Sequence, residues 1–419
     1  MLAIAYPFPP LAYTNSIINA RMLRHVEIST VVFSADERGI RQDMTIEPGY
    51  EKSLIACIRV PFHPSPLRRL IWKGAHFSRL PILGKIPDNY RGWIKPCLKR
   101  VLNWLDQSAF APDVLATFGQ PMSDHIIGLE IKRLLKIPWI AFFSDPWVDN
   151  PYNKDDPISV CINRRKEKEV MAEADRVIFT SQETLDLVMS KYPPSWGARA
   201  HVVPQSFDER AYPEVSLLSK GGLRIIRHVG NFYGPRTPTP LVKALKRLVS
   251  NRPNLLADMR FELVGRCSPF TLRRADVRSL PSDLISIRPS VDYQESLNLM
   301  ASADALLLID APTKFNVFFP SKLADYIGAG RPILGISPPG TSARIITQSG
   351  GWVADPRYPE EVEAMLVNYL SLPPFQGHWG EPSVRRELEI ANVAKQINRI
   401  IRETLKNEKG AQGLGKSTS

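Results

Sequence analysis

The sequence predicts an α/β chain of two doubly wound domains in series, and three observations carry that reading. At 419 residues the chain exceeds the roughly 250–300 at which a single apolar core stops growing, so two domains of about 200 residues each are expected. Short runs rich in β-branched and aromatic residues recur with helical stretches between them, the signature of parallel α/β units. Between Gln205 and Gly222 that rhythm is interrupted by Pro213, Ser216, Ser219 and a pair of glycines, which marks the boundary.

The first strand is read at Leu2–Tyr6. No basic leader and no small-residue cleavage site accompany it, so MLAIAYPFPP reads as a buried strand and not as a signal peptide. Further strands are expected at Ser29–Phe33, Ile55–Val60, Val114–Phe118, Trp139–Phe143, Arg176–Thr180 and His201–Val203. A helical pattern precedes Val114, another links Met122 to Lys136, and a third runs from about Cys161 to Ala174. The second half repeats the rhythm at Ile225–His228, Arg260–Val264, Ile285–Ile287, Ala305–Ile309, Ile333–Ile336 and Trp352–Ala354. The run RRELEIANVAKQINRIIRETLK carries an apolar stripe opposite its charges and reads as the last amphipathic helix of domain two. The expected organisation is therefore residues 1–210, 211–384, a closing helix over 385–407 and a disordered, Gly/Ser/Lys-rich tail over 408–419.

Hydrophobic residues at 44% and charged residues at 23% lie in the globular range, which excludes a fibrous or disordered chain. No apolar run reaches the ~20 residues needed to cross a bilayer, so a cytoplasmic location is expected. Cys57, Cys97, Cys161 and Cys267 form no C-x-x-C pair and read as reduced core thiols, not as zinc ligands or a redox motif. An excess of 54 Lys and Arg over 42 Asp and Glu gives +12 and favours anionic partners. Nucleic acid is set aside, because neither RNP aromatics nor a recognition helix is present. Between Pro64 and Trp104, Arg68, Arg69, Lys73, Arg79, Lys85, Arg91, Lys95, Lys99 and Arg100 face only Asp88, with Trp72, Phe77, Trp93 and Trp104 interleaved. That mixture suits peripheral docking on an anionic membrane surface, the alternative being a solvated basic face.

In open parallel sheets ligands bind beyond the carboxyl ends of the strands, and two turns of the second half stand out there. In RHVGNFYGPRTPTPLVKALKRL a strand ends at Val229, Gly230 and Gly234 free the backbone, and a helix follows from about Thr239. Such a loop at a helix start suits a diphosphate, with Arg236 adding a planar fork; its bland counterpart is a turn that merely closes. In FFPSKLADYIGAGRPIL a helix starts at Pro320 and Ser321, which puts Lys322 in the first turn, where a cation opposes the helix dipole unless an anion lies nearby. Asp325 shares that helical face and suits a ribose diol, the alternative being a solvated carboxylate.

The segments GNFYGPR, VDYQESLNLMASADALLLI and PSKLADYIGAGRPIL, in that order and spacing, resemble the donor domain of the retaining GT-B glycosyltransferases of family 4. The resemblance extends through PDVLATFGQPMSDHIIGLEIKRLLKIPWIAFFSDPW and EADRVIFTSQETLDLV, and so covers most of residues 1–400. It implies two Rossmann-like domains facing across a cleft and a donor site built around Gly230, Asn231, Arg236, Ser321 and Lys322. Arg236 and Lys322 would neutralise the nucleotide diphosphate, and Asp325 would stand where the family has a ribose-binding Glu. The base would rest near Gly265, Arg266, Val291 and Asp292. Three departures are visible: Val317 stands where the family's E-x7-E motif has its first Glu, Thr237 stands where a Lys often follows the Arg, and PFPPLAYTNS lacks the family's N-terminal glycines.

On the acceptor side, His125 opens a helix after GQPMSD, where the dipole favours a neutral imidazole able to act as hydrogen-bond partner or base. Asp145 follows a strand end in FFSDPWVDNPY, with Pro146, Trp147 and Tyr152 as an aromatic wall for a sugar face. For both, the competing reading is structural. No D-x-D pair sits at a strand end, so Arg236 and Lys322, not a metal, are expected to carry the diphosphate, and no cofactor beyond the nucleotide-sugar co-substrate is implied. The expected activity is metal-independent hexosyl transfer to a cell-envelope polysaccharide or lipid-linked acceptor; the alternative is a degenerate, non-catalytic sugar-nucleotide-binding protein. Replacing Arg236 or Lys322 by Ala is expected to cut turnover and spare the fold.

Overall fold

The computed structural model describes residues 1–37, 39–46, 53–62, 86–152, 155–213 and 222–414. The chain divides into two compact units, one of Met1–Pro204 together with the chain from Val393 onward, the other of Gln205–Asn392.

In the first unit the strands are β1 (Leu2–Ile4), β2 (Thr30–Asp36), β3 (Leu54–Pro61), β4 (Leu115–Gly119), β5 (Trp139–Phe143), β6 (Arg176–Phe179) and β7 (Ala200–Val202). They form one parallel sheet in the order β3-β2-β1-β4-β5-β6-β7, with Leu2 in register with both Val31 and Leu115. The central strands are buried along their length, as a parallel sheet covered by helices on both faces requires, and this is why they read as unbroken apolar runs.

In the second unit β8 (Arg224–Val229), β9 (Met259–Val264), β10 (Ile285–Arg288), β11 (Ala305–Ile309), β12 (Ile333–Ile336) and β13 (Trp352–Ala354) pair in the order β10-β9-β8-β11-β12-β13, again all parallel. Each sheet therefore runs outward in both directions from one adjacent pair, β1/β4 in the first unit and β8/β11 in the second. The crevice beyond the carboxyl ends of such a pair is where open α/β sheets bind ligands. Every expected strand is present, with ends moved by a few residues.

The end of the chain differs from its reading. Two helices, Pro382–Leu388 and Ile390–Leu414, replace the single one, broken where extended Glu389 forms a parallel bridge with Phe207. From Val393 the chain joins the first unit: Asn398 Nδ2 donates to the His25 carbonyl at 3.0 Å, and Arg402 pairs with Glu27 at 2.6 Å. Ile397, Ile400 and Ile401 are buried there. An apolar stripe shows that a helix is covered but not by which core. The expected disordered tail begins inside this helix, which continues to Leu414. Of the four thiols Cys97 is buried, but Cys161 is exposed.

The basic segment's Arg68, Arg69, Trp72, Lys73, Phe77, Arg79 and Lys85 lie outside the described residues. Among those described, Trp93 is fully buried, its ring edge-on to Tyr6 at 5.3 Å, and Trp104 meets Phe33 at 5.8 Å. On the Arg91–Gln107 helix Trp93 is core and does not reach a membrane, while Trp104 is half-buried and packs against that core. Among the described residues no helix is long and apolar enough to cross a membrane.

Candidate functional site

At the β8/β11 switch point the chain leaves β8 through Gly230, whose φ of 150° falls in the region open to glycine. A Cβ there would lie 2.6 Å from Lys322 Nζ, so the missing side chain is what lets the ammonium lie against the backbone. Gly265, after β9, has φ 146°, and a Cβ on it would fall 2.1 Å from the Gly230 carbonyl oxygen. Asn231 Oδ1 then ties three turns together by accepting from Arg266 N at 2.8 Å and Ser290 Oγ at 2.9 Å. The structure thus gives Asn231 a bracing part.

Lys322 enters from the helix Ser321–Ala329, which starts after Pro320 without a side-chain cap. Tyr326, fully buried on the same helix, accepts from Val229 N at 2.8 Å, and this bond fixes the helix start over the end of β8. Although the lysine is only half-buried along its stem, its Nζ is shielded from solvent and has no hydrogen-bond partner among the described residues. Burial, and after it the Arg236 guanidinium, push this ammonium well below the usual lysine range, against the opposing pull of Asp310.

Arg236 is 3% exposed. Its Nη2 donates to Asp310 Oδ1 at 2.9 Å and its Nη1 to Tyr233 Oη at 3.1 Å, with the Tyr233 ring 5.0 Å from the guanidinium. Asp310, just past β11, also accepts at Oδ2 from Asn316 Nδ2 at 2.9 Å and Ser337 Oγ at 3.0 Å. The carboxylate is thus committed to Arg236 and its own braces, and makes no hydrogen bond to Lys322. His228, fully buried on β8, donates from Nδ1 to the Leu307 carbonyl at 2.8 Å and stacks on Phe232 at 4.6 Å. Burial first, then Lys322, hold its imidazole well below the usual histidine range.

Of the remaining donor-side residues, Asp325 is 6% exposed and accepts from Tyr293 Oη at 3.3 Å, so it is not the solvated carboxylate that was the alternative. Asp292 caps the Tyr293–Ala301 helix by accepting from Glu295 N, and Val291 beside it is half-buried. Arg266 is exposed and Ser321 half-buried. Asp310, His228, Tyr233 and Tyr326 were not read from the sequence. An acid directly after the apolar run ALLLI was the available signal for Asp310; the others become visible only once β8 and β11 are neighbours.

In the first unit His125 is fully buried, its Nδ1 2.8 Å from Thr117 Oγ1, which also accepts from Trp139 Nε1, and its ring 4.1 Å from Phe143. Its Nε2 lies where a Cβ on Gly119 would come within 2.6 Å. Burial lowers its pKa to about 3, so the expected neutral imidazole is present, but it offers no nitrogen to solvent. Asp145 is half-exposed after β5, whereas Trp147 is 4% exposed and belongs to the core, which removes it from the aromatic wall. The loop is braced by buried Glu167, which accepts from Val148 N, Lys191 and Tyr192. At the β1/β4 switch point Tyr6 Oη and Tyr13 Oη donate to Glu37 at 2.6 and 2.9 Å, and buried Asp124 accepts from Tyr6 N and Trp93 Nε1. Among the described residues no three His, Cys, Asp or Glu side chains come together as a metal set.

No protein-family model and no curated protein sequence matches the chain. Solved structures do. HepE of Anabaena, in complex with UDP-glucose, superposes with a TM-score of 0.62 at 12% identity over 97% of this chain and 99% of its own. Sucrose-phosphate synthase of Thermosynechococcus elongatus gives 0.61 at 12% over 100% and 99%, and the lipopolysaccharide outer core galactosyltransferase WaaB gives 0.58 at 11% over 96% and 99%. At this identity the likeness speaks for the fold: the chain is an α/β protein of the GT-B class, with two Rossmann-like sheets.

Proposed function

We propose that the chain is a glycosyltransferase that moves a hexose-type sugar from a nucleoside diphosphate donor to a cell-envelope polysaccharide or lipid-linked acceptor, with retention. The observation that carries the reading is Lys322 Nζ, a buried amino group with no hydrogen-bond partner among the described residues, at the switch point of the second sheet. A protein keeps such an unfavourable group where a ligand supplies the missing charge. Arg236 lies beside it, and HepE, of the same fold, binds UDP-glucose in this manner of architecture.

In this reading Arg236 and Lys322 meet the diphosphate without a metal, Asp325 meets the ribose, and the turns at Gly265, Arg266, Val291 and Asp292 border the base. As the bond from the anomeric carbon to the diphosphate oxygen breaks, negative charge builds on that oxygen and the two cations stabilise it. The acceptor hydroxyl attacks the same face and gives its proton to the departing phosphate. Asp145 is assigned to the acceptor, with His125 setting the backbone behind it, and the basic segment before Trp104 to an anionic membrane surface.

Thermal-shift screening of nucleotide sugars tests the donor, since a ligand at 100 times its Kd stabilises by ~2.7 kcal/mol. The hit should then release nucleoside diphosphate slowly without acceptor, and Lys322→Ala should abolish both effects. Binding without any release would favour the degenerate alternative, to which Val317 in place of a family carboxylate points. Unchanged binding in Lys322→Ala would end the reading.

A further inference from the structure

At the second unit's switch point a buried amino group lies beside a buried guanidinium, and that closeness bears on its charge. Three ionisable groups converge beyond β8 and β11 on the Nζ of Lys322: Arg236 from the β8 turn, Asp310 from the end of β11, and His228 from β8 itself. Tyr326 and Asp325 share the lysine's own helix, and Tyr293 reaches Asp325 from the next. Asp310 spends Oδ1 on Arg236 and Oδ2 on Asn316 and Ser337. A protonated Lys322 would therefore be a second buried cation beside the guanidinium, with no acceptor of its own. Shielded ammonium groups in that position lose a proton in preference to staying charged.

We propose that a nucleoside diphosphate entering this site is accompanied by one proton from solvent, which settles on Lys322 Nζ and turns the empty site's amine into the ammonium that holds the phosphates. The inference rests on the donor reading and adds to it a dependence on pH. Its balance is simple: R–NH2 and H+ give R–NH3+, with no other bond made or broken. The downward shift of Lys322 agrees with it. Above the amine's own value in the empty protein, and up to the ordinary lysine value, affinity should fall about tenfold for each unit of pH, because the free protein must first be protonated.

Isothermal titration with UDP, GDP, ADP and dTDP in turn, each in buffers of different ionisation enthalpy and at steps between about pH 7 and 10, reads the proton directly. The expected result is a heat that varies with buffer, with a slope approaching one proton taken up per site. Lys322→Arg should still bind, because a guanidinium carries the charge, yet take up none, because it never deprotonates in this range. His228→Asn keeps a donor for the Leu307 carbonyl and removes the second ring nitrogen; it should retain the uptake. Binding in the wild type with no buffer dependence at any pH overturns the proposal and leaves the donor reading intact. Uptake that persists in Lys322→Arg, or vanishes in His228→Asn, overturns the assignment to Lys322. If none of the four nucleotides binds the wild type, it is the donor reading that falls.

Discussion

Asp310→Ala should be the most damaging single change at the candidate site, and the reason is electrostatic. The carboxylate's side chain is fully buried and the Arg236 side chain 4% exposed, at 2.9 Å from each other. Removing the acid strands a guanidinium inside the protein, and breaking a buried pair from one side costs about 3–5 kcal/mol. Asn316 and Ser337 lose an acceptor as well, at ~1 kcal/mol each if the effects were independent, which neighbours of one carboxylate are not. At ~2–4 °C per kcal/mol for a domain of about 150–250 residues, the melting transition of the Gln205–Asn392 unit should fall by roughly 10 °C. Calorimetry reads it, with that unit's transition identified as the one nucleotide raises. Arg236→Ala should be costly for the mirror-image reason, against the expectation that this variant spares the fold. The double variant Arg236→Met with Asp310→Leu leaves no stranded charge, so it should recover most of the stability and none of the nucleotide binding. An Asp310→Ala protein that melts within a degree or two of wild type, or a double variant as unstable as the single one, would refute the reasoning.

Lys322→Met should do the opposite and stabilise the ligand-free protein, by at most about 5 kcal/mol, the free energy of holding a lysine neutral at pH 7 against its ordinary 10.5; chemical denaturation that shows a loss instead would mean the ammonium is paired. Gly265→Ala, whose Cβ meets the Gly230 carbonyl, should cost about 2–4 kcal/mol, whereas Gly234→Ala, at φ 57° with open space around it, should cost only about 1–2 kcal/mol. His125 titrates near 3 in the fold and near 6.5 unfolded, so the native state binds fewer protons between these values and stability falls as pH drops through that window, by about 1.4 kcal/mol per unit. Urea titrations from pH 7 to 4 should be flatter in His125→Gln, and parallel slopes would count against a buried neutral ring.

The strands were legible because a parallel sheet buried on both faces needs apolar runs such as ALLLI and WIAFF, which few other structures use. Arg236 and Lys322 were legible for a different reason: each cation sits at a helix start, where the dipole disfavours it, and that is a local fact. Asp310 and His228 were not, since what makes them matter is the pairing of β8 with β11, strands far apart in sequence. Within the basic-aromatic stretch Trp93 was misread for want of a partner surface. Trp93 and Trp104 lie at the spacing of a covered helix face, and composition cannot tell a core from a lipid as the cover. The same gap assigned the closing helix to the wrong unit.

The two sheets share one strand order apart from the added edge strand β7 of the first, yet their switch points are finished differently, and this bears on which ligand each would take. At β1/β4 the buried acid Asp124 is answered on both oxygens, by Tyr6 N at 2.7 Å and by Trp93 Nε1 at 2.8 Å, and Glu37 is answered by two phenols. Burial raises the pKa of Asp124, against the opposing pull of its hydrogen bonds from Tyr6 N and Trp93 Nε1. At β8/β11 the Lys322 amino group has no hydrogen-bond partner among the described residues. A switch point lined by carboxylates that already accept hydrogen bonds disfavours an anionic ligand. A site with an unbalanced cation gains most from an anion. The strand order around the two switch points is alike, while their buried polar groups are satisfied differently.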